Sequence, residues 1–295
     1  MSHVNSIAII GAGTMGSGIA LTAAQAGIRA FQIDVNAPAL EKAKAYHVKT
    51  LARAVEKQKI SAEDSAAALS RISYCTAMAD AKDADWVVEA ATEQVEVKKK
   101  IFLSMQATFK ADAVLATNTS SISITDLASA LGADASRVIG MHFFNPVPLM
   151  KLVEVIKGIA TSEETTARTM QLARDLGKTP VAANDRAGFV SNRVLMPMIN
   201  EAFYAWMEGV AKPEDIDHWH EHAIGDESGA VVCSNWRLPK VARELHRARG
   251  GYLGSRDALD DFNQLHQWHR IKKVHADHAR RIRTERTRKI GDGDA

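Results

Sequence analysis

The sequence predicts an α/β fold, in which a doubly wound and mostly parallel sheet is followed by a smaller helical domain. Short apolar runs alternate with longer stretches of helical periodicity as far as residue 184. This alternation is typical of parallel strands that are covered by helices on both faces. A glycine-rich turn follows the first apolar run directly, and it indicates where the first strand passes into the first helix.

The predicted elements follow from the periodicity of the apolar residues. Short apolar runs predict strands at residues 6–10, 30–34, 86–89, 113–117, 138–141, 151–156 and 179–182. Helical periodicity predicts an alanine-rich helix that ends near residue 27, and further helices at 38–59, 95–109, 124–131 and 163–176. Another helix opens at 188–192 and runs to about 208, and one more begins at 213. We therefore predict a first domain over residues 1–184 and the start of a helical domain over 185–217.

The composition is that of a soluble globular protein, with 46% hydrophobic and 24% charged residues. No apolar run approaches the length of a membrane span, and no signal peptide precedes the first strand. The two cysteines, Cys75 and Cys233, do not form a disulfide framework. We therefore expect a cytoplasmic protein that does not associate with a membrane.

The glycine-rich turn has the spacing of a dinucleotide-binding turn, G-x-G-x-x-G. Its first glycine permits a tight turn, the second lets backbone N–H groups approach a pyrophosphate, and the third lets helix and strand pack closely. Asp34 ends the next strand, where its carboxylate can accept hydrogen bonds from ribose hydroxyls and repel a 2′-phosphate. The alternative is a glycine turn needed only for packing. We predict a Rossmann-type domain that binds NAD through Gly11, Gly13, Thr14, Met15, Gly16 and Asp34.

A histidine and a carboxylate, His142 and Glu154, lie twelve residues apart across a proline-rich turn. A carboxylate on one ring nitrogen fixes the lone pair of the other, which is how a general base is held. Ser120 lies just beyond a predicted strand end, and Asn192 opens a helix soon after a glycine. A hydroxyl, a histidine–carboxylate pair and an amide are the groups that alcohol oxidation needs. The alternative is a histidine that is merely satisfied in the core and a glutamate that is merely solvated.

These motifs resemble those of the short-chain L-3-hydroxyacyl-CoA dehydrogenase family, which includes 3-hydroxybutyryl-CoA dehydrogenases. The resemblance runs from about residue 6 to residue 217 and includes the segments 118–121, 142–146 and 188–193. It implies NAD-dependent oxidation of an (S)-3-hydroxyacyl-CoA, with a four-carbon acyl chain favoured. It also implies that His142 is the base, that Glu154 orients it, and that Ser120 and Asn192 hold the 3-oxygen.

The resemblance implies further contacts with the cofactor and the substrate. Cofactor contacts are implied at Glu93, Lys98 and Asn118, and substrate contacts at Asn145, Thr50 and Lys57, of which the last two face the CoA moiety. Two alternatives remain open. One is a β-hydroxyacid dehydrogenase with a lysine base, although no motif here places such a lysine. The other is an NAD-binding protein whose catalysis is impaired.

The chain changes character after Asp217. Residues 218–295 hold 15 of the 37 Lys and Arg but only 11 of the 35 Asp and Glu. Leu, Ile, Val and Phe make up 14 of these residues, a low share that predicts a basic, atypical and disordered tail. The tail lacks a nucleic-acid-binding motif, and its histidines 218, 220 and 222 lack the further ligands of a zinc site. We therefore expect neither specific nucleic-acid binding nor a bound metal.

A shifted reading frame can account for this change. The residues at 218–221, read one base later with allowed codons, give Thr-Gly-Met, and those at 225–230 give Val-Met-Asn-Pro-Gly-Pro. Both products are similar to the way the family continues. The family's second domain closes over the substrate and usually forms the dimer. We therefore expect an incomplete helical domain, no homodimer of the family type, and weak turnover with NAD binding retained.

Overall fold

The computed structural model describes residues 4–223 and shows the predicted α/β fold. The chain divides into two compact units between Val190 and Ser191. The predicted boundary at residue 184 coincides with the end of the last strand. None of the helices in the described range is long and apolar enough to cross a membrane.

One eight-stranded sheet forms the first unit, in the order β3-β2-β1-β4-β5-β6-β7-β8. All neighbouring strands are parallel except β6 and β7, which are antiparallel. The doubly wound, mostly parallel sheet is thereby confirmed. The strands are β1 (Ser6–Ile10), β2 (Arg29–Ile33), β3 (Ile72–Cys75), β4 (Trp86–Glu89), β5 (Val114–Thr117), β6 (Val138–Phe143), β7 (Leu152–Lys157) and β8 (Thr179–Asn184).

Helices connect these strands and cover the sheet. In the first unit they are α1 (Thr14–Gln25), α2 (Ala37–Glu56), α3 (Ala62–Ser70), α4 (Val95–Thr108), α5 (Ile124–Ala128) and α6 (Glu163–Asp175). Short 3-10 segments lie at Met78–Ala81 and Ser129–Arg137. The second unit contains α7 (Ser191–Met207) and α8 (Pro213–Ala223).

Burial on both faces of the sheet explains the unbroken apolar runs. In β1, Ile7 and Ile9 belong to one core cluster, while Ala8 and Ile10 belong to the other. A strand whose two faces are both covered has no solvent side, so its residues do not alternate between apolar and polar. Each fully buried large aliphatic side chain contributes about 1.5–3 kcal/mol relative to the exposed state.

The structure contains three elements that the sequence analysis did not predict: strand β3, helix α3 and the 3-10 segment at Met78–Ala81. The Ser61 hydroxyl accepts a hydrogen bond from the Asp64 N–H at 2.9 Å and caps α3, so a local signal was present. Strand β3 lies at the edge of the sheet and only its first residue, Ile72, is fully buried, which explains its weak apolar pattern. The helix predicted over 124–131 ends at Ala128 and continues as a 3-10 segment.

The second unit begins with the predicted long helix, which carries Pro197. Ile199, Ala202 and Phe203 of α7 and Ile216 of α8 form a small buried cluster. Helix α8 continues to Ala223, so the first part of the predicted tail is helical. The remaining tail, residues 224–295, lies outside the described residues, and so does the expectation that it is disordered.

Candidate active site

The glycine turn between β1 and α1 needs glycine at two positions. Gly11 has φ +110°, and a Cβ there would lie 2.7 Å from the Ala90 carbonyl oxygen. A Cβ on Gly16 would overlap the carbonyl oxygen of Gly11. Gly13 caps α1, and a Cβ there would meet no atom within 4 Å. Open space at the N-terminus of a helix fits a phosphate group, so the turn fits a dinucleotide.

Asp34 follows β2 and lies beside this turn. Its Oδ2 accepts a hydrogen bond from the Ala12 N–H at 2.8 Å, and its Oδ1 accepts one from the Asn36 N–H at 2.9 Å. The carboxylate therefore braces the glycine turn. Thr14 and Met15 form the first turn of α1, next to the open space at Gly13.

His142 and Glu154 are directly opposite one another in the antiparallel pair β6–β7. His142 Nδ1 lies 2.7 Å from Glu154 Oε2, and both side chains are almost fully buried. On the other side of the ring, Nε2 lies 3.0 Å from the Oγ of Ser120, which follows β5. A carboxylate can only accept, so Nδ1 carries the proton and the Nε2 lone pair faces the Ser120 hydroxyl.

Two aromatic rings flank His142. The Phe144 ring lies 4.6 Å from the imidazole, and the Phe189 ring lies 5.9 Å from it, measured between centroids. The second oxygen of Glu154, Oε1, accepts a hydrogen bond from the Val190 N–H at 3.0 Å. Both carboxylate oxygens are thus engaged, one by the imidazole and one by the backbone.

The segment after β5 joins this pair to the loop after β4. Thr119 donates to Glu93 Oε2 at 2.8 Å, and burial raises the pKa of Glu93 while the charge of Lys98 opposes the rise. Asn118 Oδ1 accepts the Phe143 N–H at 2.9 Å, one residue beyond His142. The Asn118 side chain therefore fixes the end of the strand that carries His142.

Lys98 is fully buried and donates to the Glu89 carboxylate and to the Thr117 hydroxyl. The other oxygen of Glu89 accepts the Ala91 N–H at 2.9 Å. Lys98 therefore helps to hold the loop after β4, because it fixes the Glu89 carboxylate that binds the Ala91 N–H. A buried ion pair of this kind is costly unless its hydrogen bonds are satisfied, as they are here.

The remaining predicted residues lie in three places. Thr50 lies in α2 and Lys57 follows its last residue, the first half-buried and the second exposed. Asn145 is exposed in the loop between β6 and β7 and precedes a cis peptide bond to Pro146. Asn192 is half-buried in the first turn of α7, in the second unit.

The sequence analysis did not identify Lys178 as a residue that holds part of the site. Its Nζ donates to the carbonyl oxygens of Val147 and Met150, at 2.5 and 2.9 Å, and so holds the loop between β6 and β7. Burial and the nearby charge of Lys151 lower the pKa of Lys178 to about 8. No local pattern marks this lysine, because its partners lie about thirty residues away in the chain.

No group of three or more potential metal ligands occurs among the residues that the structure describes. The side chains of His220 and His222 lie outside that range.

The comparisons with known proteins agree with this geometry. The sequence model for "3-hydroxyacyl-CoA dehydrogenase, NAD binding domain" matches residues 6–186. The model for the C-terminal domain of the same family matches residues 188–234, so the similarity continues past Asp217, where we expected it to end.

Similar proteins come from several bacteria. A probable 3-hydroxybutyryl-CoA dehydrogenase of Bacillus subtilis is 50% identical over 234 residues, which cover 79% of this chain and 81% of the relative. A 3-hydroxybutyryl-CoA dehydrogenase of Bradyrhizobium diazoefficiens is 45% identical, over 72% of this chain and 73% of the relative.

A solved structure shows the same likeness. The (S)-3-hydroxybutyryl-CoA dehydrogenase from Ralstonia eutropha has a TM-score of 0.73 and 38% identity, over 86% of this chain and 97% of that chain. The chain therefore belongs to the 3-hydroxyacyl-CoA dehydrogenase family, and its first unit carries the NAD-binding domain of that family.

Proposed function

We propose that this protein catalyses the NAD-dependent oxidation of (S)-3-hydroxyacyl-CoA to 3-oxoacyl-CoA and the reverse reaction, with 3-hydroxybutyryl-CoA as the preferred substrate. The main support is the chain of hydrogen bonds from Glu154 through His142 to Ser120. Relatives that are 45–50% identical carry the name 3-hydroxybutyryl-CoA dehydrogenase.

In this proposal His142 is the general base. Its Nε2 takes the proton of the substrate 3-hydroxyl, which approaches the Nε2 lone pair beside the Ser120 hydroxyl. Glu154, 2.7 Å from Nδ1, stabilises the imidazolium that forms. Ser120 and Asn192 donate hydrogen bonds to the 3-oxygen as the carbonyl develops.

NAD, when bound, would supply the hydride acceptor. Gly13, Thr14 and Met15 offer backbone N–H groups at the start of α1 to its pyrophosphate. Asp34 keeps lone pairs for the ribose hydroxyls while it braces the turn. Glu93 and Asn118 follow β4 and β5 at the same edge of the sheet, where they would help to hold the cofactor.

The acyl-CoA binds across α2 and the loop after β6. Lys57 is exposed at the end of α2, where its ammonium can pair with a CoA phosphate, and Thr50 lies two turns earlier. Asn145, exposed in the loop after β6, contacts the acyl portion.

The test is the reduction of acetoacetyl-CoA by NADH with the purified full-length chain, together with NADH binding followed by fluorescence. We expect both. NADH binding without any turnover would instead support an NAD-binding protein whose catalysis is impaired, and the absence of both would contradict the proposal.

A further inference from the structure

A strained turn, residues 185–190, lies between the last strand and the end of the first unit. Two consecutive residues of the turn have left-handed backbone, Gly188 with φ +79° and Phe189 with φ +49°. Glycine adopts such angles freely, whereas a bulky side chain is strained there. Elsewhere in the described range only Gln58 among the other residue types has a positive φ, and it is exposed, whereas Phe189 is buried.

Hydrogen bonds hold this 185–190 turn at its start. The buried Asp185 carboxylate accepts from the Ser123 hydroxyl at 2.7 Å and from the Thr125 N–H at 2.8 Å. The Asp185 N–H donates to the Lys157 carbonyl oxygen at 3.1 Å. The turn is therefore tied to the first turn of α5 and to the end of β7. Strain persists in a protein only where the surroundings fix the chain in this way.

The end of the turn delivers two groups to the His142–Glu154 pair. The Phe189 ring packs edge-on against the imidazole, with 5.9 Å between centroids. The next backbone N–H, that of Val190, donates to Glu154 Oε1 at 3.0 Å. A donor on Oε1 fixes the rotation of the carboxylate, so that Oε2 faces His142 Nδ1 at 2.7 Å.

We infer that the 185–190 turn is a positioning device for the catalytic pair. The left-handed backbone of Phe189 aims the Val190 N–H at Glu154, and Glu154 then keeps the His142 proton on Nδ1. The Phe189 ring holds the imidazole in the orientation that this contact requires. Neither Phe189 nor Val190 takes part in the chemistry. The expected effect of the turn on turnover rests on the proposed function. Its expected effect on the tautomer of His142 does not depend on that function.

The first test compares two variants of Val190. Val190→Ala keeps the backbone N–H, whereas Val190→Pro removes it and also disfavours the left-handed conformation of Phe189. The readout is the ¹⁵N NMR spectrum of histidine-labelled protein, in which the His142 signals are assigned by their loss in His142→Gln. We expect Val190→Ala to keep one protonated and one unprotonated ring nitrogen.

We expect the two His142 signals of Val190→Pro to move toward a common average, because the two tautomers then exchange. Its kcat for acetoacetyl-CoA reduction should fall about 10- to 100-fold, the range for a lost hydrogen bond to a charged group. Its affinity for NADH should match that of the wild type, since the glycine turn is untouched.

A second pair of variants keeps the inference testable even when Val190→Pro does not fold. Phe189→Leu and Phe109→Leu each remove a buried ring from the same core cluster, but only Phe189 contacts His142. We expect both to lower the thermal midpoint, and only Phe189→Leu to lower kcat and alter the His142 signals.

Wild-type His142 signals and wild-type kcat in Phe189→Leu, or in folded Val190→Pro, would overturn the inference. A wild-type chain that does not reduce acetoacetyl-CoA would instead refute the proposed function. In that case the NMR comparison alone decides whether the turn orients His142.

Discussion

His142 has a different partner on each ring nitrogen, and this asymmetry gives the residue its chemistry. The buried Glu154 accepts from Nδ1, and the Nε2 lone pair is directed at the hydroxyl of Ser120. In a buried site a carboxylate stabilises an adjacent imidazolium more strongly than it would in water. The pair is thus suited to take up a proton while a hydride leaves the neighbouring carbon.

Replacing the base tests this assignment. We expect His142→Gln to lower kcat by about 10²- to 10⁴-fold, the usual contribution of a positioned general base. NADH affinity should stay at the wild-type value, because the glycine turn and Asp34 are untouched; it is measured by fluorescence titration of the same sample. A parallel loss of turnover and NADH binding would show that His142 has a structural role.

The charge of Asp34 should set the preference for NADH over NADPH. Asp34→Asn removes the repulsion of a 2′-phosphate, so we expect the ratio of the two affinities to narrow about tenfold, equivalent to about 1.4 kcal/mol. Asp112→Asn makes the same change in charge at an exposed site and serves as the control. An unchanged ratio in Asp34→Asn would contradict the assignment.

At the scale of elements, a buried histidine joins α1 to α2 and β3. His47 Nε2 lies 2.9 Å from the Ser17 carbonyl oxygen, and Nδ1 lies 2.8 Å from the Tyr74 hydroxyl. The carbonyl oxygen can only accept, so Nε2 carries the proton and Nδ1 accepts from Tyr74. The neutral ring fits this environment, and burial lowers the pKa of His47 below its ordinary value, outweighing the opposing bond to Ser17.

This histidine makes the first unit sensitive to acid. The folded-state pKa of His47 lies below its unfolded value of about 6.5, so the unfolded chain binds more protons between the two. The contribution of neutral His47 is full above pH 6.5 and is lost as the pH falls toward the folded pKa. We expect urea unfolding at pH 7.5 and 5.5 to show a smaller loss of stability in His47→Gln than in the wild type. An equal loss of stability in His47→Gln and in the wild type would contradict the prediction.

Local patterns allowed many of the strands, the glycine turn and the His142–Glu154 spacing to be predicted. The fold class and the family followed from them. Lys98, Lys178 and His47 could not be interpreted in the same way, because each depends on partners that only the folded chain brings near. A lone buried lysine or histidine has no periodicity of its own.

At the scale of the whole molecule, the described residues of the two units differ in the size of their buried clusters. The first has a complete sheet with two large core clusters, whereas α7 and α8 share a small cluster around Phe203 and Ile216. The C-terminal family match ends at residue 234 of 295. The basic bias of residues 218–295 begins before the family match ends.

The codons of the gene decide between a divergent tail and a shifted frame. We expect the codons for residues 218–230, read one base later, to encode Thr-Gly-Met and then Met-Asn-Pro-Gly-Pro. The codons of 188–217 serve as the control, because the hypothesis places the shift after residue 217. Codons that yield other residues in the shifted frame would refute the hypothesis.

The antiparallel pairing of β6 with β7 positions the His142–Glu154 pair independently of the loop that connects the two strands. His142 faces Glu154 because of strand register, and the intervening loop that carries Asn145 does not set their distance. We expect that lengthening or shortening this loop at its exposed residues leaves the His142–Glu154 pair in place. Under the proposed function, in which Asn145 contacts the acyl portion, acyl-chain preference can therefore change through that loop over evolution while the His142–Glu154 pair stays constant.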